Sequence, residues 1–325
     1  MKKIVLIIIS IFILSGCNKN VTTESYKMFY MDTYIEVKLY DVDKSDAELV
    51  FSEIDSIYSE YHKLSDRYKS YDNVINIYYL NNTLKIDEEI EISDELRDLI
   101  NYGIKMYDKT DGYVDIALGN AIDVWKKYRE EGNNIPGLFE LKTSGGMDIK
   151  DILLENNKFR RLSDVKIDLG GYAKGYVTEL VGNYLEKEGY TKYLINAGGN
   201  VKVGTRYKDT KYLVGLEEPF NETNIYKKIN VENVSVVTSG SYQRYYEYDG
   251  KNYNHIINPF TLFPENYTKS VTIITKDSGY ADILSTYLFL LPIDEGIELI
   301  NKLDDVEAIW YSDSIYKSEG FTKYE

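Results

Sequence analysis

The chain has 325 residues, a formal charge of −15 and 43% hydrophobic residues, enough apolar sequence to bury a core in one large domain or two interlocked ones. The acidic balance argues against nucleic acid or an anionic membrane surface as direct ligand, and an anionic substrate would need local Lys, Arg or a metal ion. One cysteine excludes an internal disulfide, so packing alone must hold the fold, and most of the 33 tyrosines are read as core and sheet packing.

Lys2 and Lys3 precede an apolar run over 4–14 broken only by Ser10, and Leu14-Ser15-Gly16-Cys17 follows as a small-residue cleavage site. The run is too short for a bilayer core that needs ~20 apolar residues, so it reads as a secretory leader rather than a span. With cysteine at the cleavage point it resembles a bacterial lipoprotein signal. That resemblance implies a signal peptide at 1–16, a diacylated Cys17, and a protein anchored on the extracytoplasmic face of the cell membrane. Residues 17–28 are then the lipidated cysteine and a polar tether, and 29–325 the folded domain.

Residues 34–40 alternate apolar and polar, the period of a half-buried strand. Ser45-Asp46-Ala47-Glu48 reads as a capping box, with Leu49, Ile54, Ile57, Tyr58 and Tyr61 inward on the helix behind it. Ser93-Asp94-Glu95 starts a second helix with Leu96, Leu99, Ile100 and Ile104 inward, stopped by the Asp111-Gly112 turn. A third helix is expected over 118–128. Short strands are expected at 151–154, 158–162 and 165–169, then a helix over 173–188 closed by Gly189. Strands at 193–196 and 200–204 flank a Gly-Gly turn, and those at 242–248 and 251–257 flank Asp249-Gly250, a hairpin signal. A strand at 271–275, helices at 280–290 and 293–303, and a strand-rich end over 308–321 complete the order. Strands and helices mix without regular alternation, so the expected class is α+β, with mixed sheets and helices.

Four segments carry residues that a plain core does not need. In Asp168-Leu169-Gly170-Gly171-Tyr172-Ala173-Lys174-Gly175 a strand ends in a carboxylate, two glycines turn and a helix begins with a lysine. Glycines let backbone N–H groups approach a phosphate, and a lysine opposed to the helix dipole makes sense beside an anion. Alone, the segment fits equally a tight turn with a solvated lysine. Asn196-Ala197-Gly198-Gly199-Asn200 alone reads as a hairpin turn. Thr238-Ser239-Gly240 is followed by His255, one of two histidines, at a strand end running into Asn258-Pro259; it suits proton transfer or phosphate binding, or is a satisfied structural histidine. His62 is read as the structural kind. Asp282 and Thr286, i and i+4 on a helix, put two hard oxygens on one face, which suits Mg²⁺; the plain alternative is a dipole-favourable aspartate with a back-bonded threonine.

In this order the segments resemble the ApbE family, the FAD:protein FMN transferases, from about Tyr30 to the last hundred residues. Met31-Asp32-Thr33 is similar to the family's Met-Gly-Thr, and Asp111-Gly112-Tyr113-Val114-Asp115 to its Asp-Gly-x-x-Asp. The Asp168–Gly175 and Asn196–Gly199 segments match. Thr238-Ser239-Gly240-x-Tyr242, His255-Ile256-Ile257 and Ala281-Asp282-x-x-Ser285-Thr286 are similar to the later motifs.

The resemblance implies two interlocked lobes with FAD as substrate in the cleft between them. It implies Mg²⁺ held by Asp282, Thr286 and the Gly171 carbonyl. FAD would meet Met31, Tyr113, Val114, Asp115, Asp168, Lys174, Gly198, Gly199, Thr238, Ser239, His255 and Ile256. FMN would pass to a Thr or Ser hydroxyl of an exported or membrane-bound flavoprotein with release of AMP, and His255 and Asp282 would be the catalytic pair. The chain departs from the family at Asp32 and Leu262, where glycine is usual, at Asn200 and Asn258, where aspartate is, and at Phe260, where arginine is. Rival readings are an FAD pyrophosphatase giving FMN and AMP, and a flavin-binding lipoprotein without turnover.

Overall fold

The computed structural model describes residues 22–207 and 210–325; the leader and Cys17 lie outside the described residues. Among the described residues no helix is long and apolar enough to cross a membrane.

The chain enters as a hairpin, β1 (Thr23–Tyr30) and β2 (Thr33–Tyr40), paired antiparallel from Thr23 opposite Tyr40 to Tyr30 opposite Thr33. β1 thus occupies much of the stretch expected to be a tether. Only Met28 of β1 is buried, so the strand has the composition of a linker and owes its conformation to its neighbour. The helix α1 (Lys44–Ser65) starts at Asp43, which makes no side-chain cap, so the box expected from Ser45 does not form. Its buried stripe runs Ala47, Val50, Phe51, Ile54, Tyr58, Tyr61 and Leu64, the i, i+3, i+4 pattern of one face. Leu49, expected inward, falls off that stripe and is 74% exposed.

Next come α2 (Ile77–Asn82), β3 (Ile90–Glu91) and α3 (Asp94–Lys109), the last capped as expected by Ser93, whose Oγ accepts from Leu96 N at 3.2 Å. α4 (Gly119–Glu131), α5 (Leu138–Lys142), β4 (Ile152–Glu155) and β5 (Lys158–Arg161) follow. The strand expected at 165–169 is an extended segment outside any sheet. One edge makes a single parallel bridge, Lys166 with Leu118, and on the other the Asn81 side chain donates to the Ile167 carbonyl at 2.8 Å and accepts its N–H at 2.7 Å. α6 (Ala173–Lys187) ends at Gly189, φ 88°, and β6 (Tyr193–Ala197) turns into β7 (Asn200–Val203).

The second half holds β8 (Tyr212–Glu218), β9 (Asn221–Val231), β10 (Val234–Gly240), β11 (Tyr245–Tyr248), β12 (Lys251–Asn254) and β13 (Ser270–Thr275). It closes with α7 (Ser278–Phe289), α8 (Ile293–Ile300), β14 (Glu307–Tyr311) and β15 (Ile315–Lys317).

The α+β class holds. Eight strands form one antiparallel sheet in the order β1-β2-β6-β7-β10-β13-β14-β15. One face packs under α1, α3, α6 and α7 in the main core, with Val37, Ile195, Val237 and Ile273 pointing into it. The other is covered by the β8–β9 hairpin and Phe321, which bury Val236, Ile274 and Ile309. A satellite core gathers Trp125 of α4, Leu141 of α5, Tyr246 of β11, Ile257 and Leu262. The site lies where this satellite faces the main core.

Candidate active site

α7 begins at Asp277, whose carboxylate accepts from Tyr280 N at 2.8 Å. That start aims Asp282 and Thr286, one turn apart, at the first turn of α6. Asp282 Oδ2 accepts from Gly175 N at 2.8 Å, and the Thr286 hydroxyl donates to the Gly171 carbonyl at 3.3 Å. The turn ahead of α6 is shaped by Asp168, whose Oδ1 accepts from Gly170 N at 2.8 Å. A carboxylate, a hydroxyl and a main-chain carbonyl therefore converge, each an oxygen donor, beside half-buried Lys174. Asp282 is 8% exposed. Burial pushes its carboxyl up to about 6, against the lowering pull of the Lys174 charge and the Gly175 N–H.

These groups floor a cavity of ≈ 420 Å³. Met31, on the β1–β2 turn, forms one lip. Tyr113, Val114 and Asp115 line one wall, Thr238 and Ser239 at the end of β10 another, and His255 and Ile256 a third. Tyr113 packs edge-on against exposed Phe260 at 4.9 Å and, with its ring tilted, against Tyr287 at 5.3 Å. Ser285 Oγ donates to the Asp282 carbonyl at 2.9 Å, so the 2.7 Å contact with Ser239 has Ser239 as donor. Asp115 accepts from Ala117 N at 2.8 Å. Burial raises its carboxyl to about 6; the Ala117 bond opposes this and Asp148 adds to it.

His255 lines the same cavity as the floor residues. Its Nδ1 is 3.2 Å from the Arg244 carbonyl, which can only accept, so Nδ1 carries the proton and Nε2 is bare. Burial, then the charges of Arg244, Arg129 and Lys174, push the imidazole down to about 4, so it is neutral at physiological pH. Arg129 and Arg244 both border the cavity. With Lys174 they supply the local cations that an acidic chain needs for an anionic ligand.

Gly198 and Gly199, expected at the cofactor, are not among the residues lining the cavity. They make the two-residue turn between β6 and β7, with φ 61° and 91°. A Cβ at Gly198 would sit 2.0 Å from Thr33 Oγ1, and the Gly199 carbonyl accepts from Thr238 N at 3.2 Å. They support the Thr238 wall from behind.

Besides Arg129 and Arg244, Arg67 and His62 are residues of the site that the sequence does not single out. Arg67 is buried; it donates to Asp168 Oδ2 at 2.6 Å, Asp123 Oδ1 at 2.8 Å and the Gly119 carbonyl at 2.9 Å. Both Asp168 oxygens thus serve to build the turn. Nothing near Arg67 in the chain announces this role, because its partners lie 52 to 101 residues away. His62, read as structural, borders the cavity and accepts from Met31 N at 3.3 Å.

A sequence profile of the ApbE family matches residues 31–310. The chain belongs to the ApbE family. Among its relatives, an FAD:protein FMN transferase of Klebsiella pneumoniae is 29% identical over 292 residues, 88% of each chain. One of Haemophilus influenzae is 28% identical over 320 residues, 93% of this chain and 91% of that one. The ApbE protein of Thermotoga maritima superposes with a TM-score of 0.83 at 23% identity, over 94% of this chain and 99% of that one. The flavin transferase ApbE of Vibrio cholerae gives 0.79 at 21% identity, over 94% and 100%. At these identities the two structures establish the ApbE fold alone.

Within that fold the departures of this ApbE chain are legible. Asp32 and Leu262, at two glycine positions of the family pattern, keep left-handed backbone at φ 57° and 62°. Asn258 caps the following turn, accepting from Phe260 N at 2.9 Å and Thr261 N at 3.3 Å. Asn200 accepts from Ser278 Oγ at 2.6 Å.

Proposed function

We propose that this protein transfers the FMN half of FAD to a Thr or Ser hydroxyl of a target flavoprotein and releases AMP. The observation that carries the reading is the meeting of Asp282, Thr286 and the Gly171 carbonyl beside Lys174, on the floor of a cavity with an aromatic wall. The names of the curated relatives agree with it.

The three donors are hard oxygens with one negative charge among them, a set that suits Mg²⁺ and leaves its other positions to water and substrate phosphate. Among the described residues no group of three His, Cys, Asp or Glu side chains offers a competing metal site. Bound Mg²⁺ supplies Lewis-acid neutralisation of the charge that develops on phosphoryl oxygens. Lys174 adds a fixed cation at the same floor, and Arg129 and Arg244 counter the remaining charge of the pyrophosphate. The acceptor hydroxyl attacks the phosphorus of the FMN half, the bond to the bridging oxygen breaks, and AMP leaves with that oxygen. His255 Nε2, unprotonated and hydrogen-bond-ready, takes the hydroxyl proton. A base held this low accepts the proton only as the new P–O bond forms and the hydroxyl becomes acidic.

We also infer, from the Leu14-Ser15-Gly16-Cys17 leader, that the protein is a lipoprotein carried by Cys17 on the extracytoplasmic face of the membrane and that its targets are exported or membrane-bound. Fatty-acid labelling that disappears in Cys17→Ser tests this.

For the activity, purified full-length protein is incubated with FAD, Mg²⁺ and a threonine-bearing flavoprotein acceptor, with EDTA as control. Mg²⁺-dependent AMP release with covalently flavinylated acceptor is expected by mass analysis. AMP with free FMN alone would replace the transferase by a pyrophosphatase, and FAD binding without AMP by a flavin binder.

A further inference from the structure

The lip of the cavity is built from residues that disfavour its shape. Met31 and Asp32 sit at φ 54° and 57°, left-handed backbone that glycine adopts freely and side-chain-bearing residues resist. Two such residues in a row persist where the surroundings hold them. On one side Asp32 lies 3.6 Å from the Arg244 guanidinium, but both side chains are exposed, and an exposed pair at this distance holds weakly.

The other side is better anchored. The Met31 N–H donates to His62 Nδ1 at 3.3 Å. Tyr71 donates its single hydroxyl proton to Asp66 Oδ2 at 2.9 Å, so its oxygen is left to accept from His62 Nε2, 3.2 Å away. The proton count is then closed: Nδ1 is bare, Nε2 carries hydrogen, and each member of the chain from Met31 to Asp66 has one role. Asp66 is itself fixed, its other oxygen accepting from Tyr68 N at 2.8 Å and Lys69 N at 3.0 Å. The Tyr30 ring packs on the imidazole at 5.6 Å, and its hydroxyl donates to Asp55 at 3.2 Å.

We propose that His62 is a positioning residue, which holds the strained Met31-Asp32 turn at the cavity and so sustains affinity for FAD in a chain that lacks glycine at 32. It acts through the Met31 backbone. The proposal rests on the cavity being the FAD site.

The test uses the full-length protein and reads the FAD dissociation constant by flavin fluorescence together with KM and kcat for FAD. His62→Leu removes the acceptor; His62→Asn puts Oδ1 near the former Nδ1 and keeps it. His62→Leu is expected to weaken FAD binding by about tenfold, the factor equivalent to ~1.4 kcal/mol, raising KM with little change in kcat. His62→Asn is expected to stay within roughly threefold of wild type. Adding Asp32→Gly to His62→Leu is expected to recover most of the loss, since glycine needs no hold at that φ; Asp32→Gly alone is the reference. A His62→Leu variant that binds FAD like wild type overturns the proposal, as does a loss that neither Asn nor the glycine recovers, which marks general packing damage. Wild-type protein that binds no FAD overturns the reading of the site itself.

Discussion

Asp282 and Gly175 touch so closely that the floor of the site and the packing of two helices are one contact. The carboxylate accepts the Gly175 N–H at 2.8 Å, and a Cβ at 175 would lie 2.5 Å from both Asp282 Cβ and the Ser278 carbonyl. The Ser278 carbonyl is backbone and cannot step aside alone. Gly175→Ala is therefore expected to push α7 from α6, with overpacking of about 1–3 kcal/mol outweighing the ~1 kcal/mol helix-propensity gain. Thermal unfolding and Mg²⁺-dependent FAD binding should both fall. An alanine variant with unchanged melting would show that the helices are free to separate.

Asp282→Asn keeps an oxygen for the Gly175 N–H and removes the charge. Folding should survive, while turnover drops by about a hundredfold or more and Mg²⁺ no longer stimulates it. Titration calorimetry with Mg²⁺ and FAD, beside an AMP assay, checks both halves. Normal Mg²⁺ stimulation in this variant would overturn the proposal that Asp282 holds the metal.

His255→Gln is expected to lower kcat by roughly 10²–10⁴ with FAD binding preserved. Because burial and three cations hold the imidazole at about 4, wild-type kcat at saturating Mg²⁺ should show no limb near the ordinary histidine value of about 6.5. A histidine-type limb there, lost in the Gln variant, would mean that the proton acceptor is not held down as described.

Asp115 gives a stability prediction with a definite sign. Its folded carboxyl is raised to about 6, mainly by burial, from the ordinary aspartate value of about 3.9. Between these values the folded state binds the proton more than the unfolded state does, so stability falls as pH rises through that window and the loss is complete above it. Asp115→Asn keeps an acceptor for Ala117 N and has no such loss. Denaturant unfolding should find the variant gaining on wild type by about 1–2 kcal/mol from the acid to the neutral side, allowing for partial exposure. A constant gap across pH would contradict the burial.

Arg67→Met should cost about 3–5 kcal/mol, because it strands the Asp168 carboxylate. Arg67→Lys keeps the charge but loses the fork that spans Asp168, Asp123 and the Gly119 carbonyl, and should fall between. The denaturant midpoint measures both.

Local chemistry was readable where a residue acts on its own neighbours. Ser93 caps α3, Gly189 follows the end of α6, and Asp249-Gly250 makes its hairpin turn with φ 49° and 70°. The motif residues of the floor could be placed because glycine, lysine and paired oxygens at a helix start are conspicuous. What stayed hidden depends on distant partners. β1 buries a single side chain, residues 165–169 find the Asn81 side chain and a lone bridge to Leu118 instead of a sheet, and Arg67 and His62 acquire roles only when the chain closes. The Gly-Gly turn is ambiguous from sequence, because the same two positive φ values that serve a phosphate cradle also serve a plain reversal.

The β11–β12 hairpin sets where His255, the proposed proton acceptor, points. Tyr245 pairs with Asn254 as the last rung of the ladder, and just beyond it the Arg244 carbonyl faces the His255 side chain at Nδ1. The chemistry therefore sits at the root of the ribbon, and the Asp249-Gly250 tip lies about 13 Å further out at the usual rise per residue. Length at the tip is free to vary while the root keeps its register. A fluorophore or a short peptide grafted there would ride on the enzyme as a reporter of what approaches the mouth, without entering the reaction.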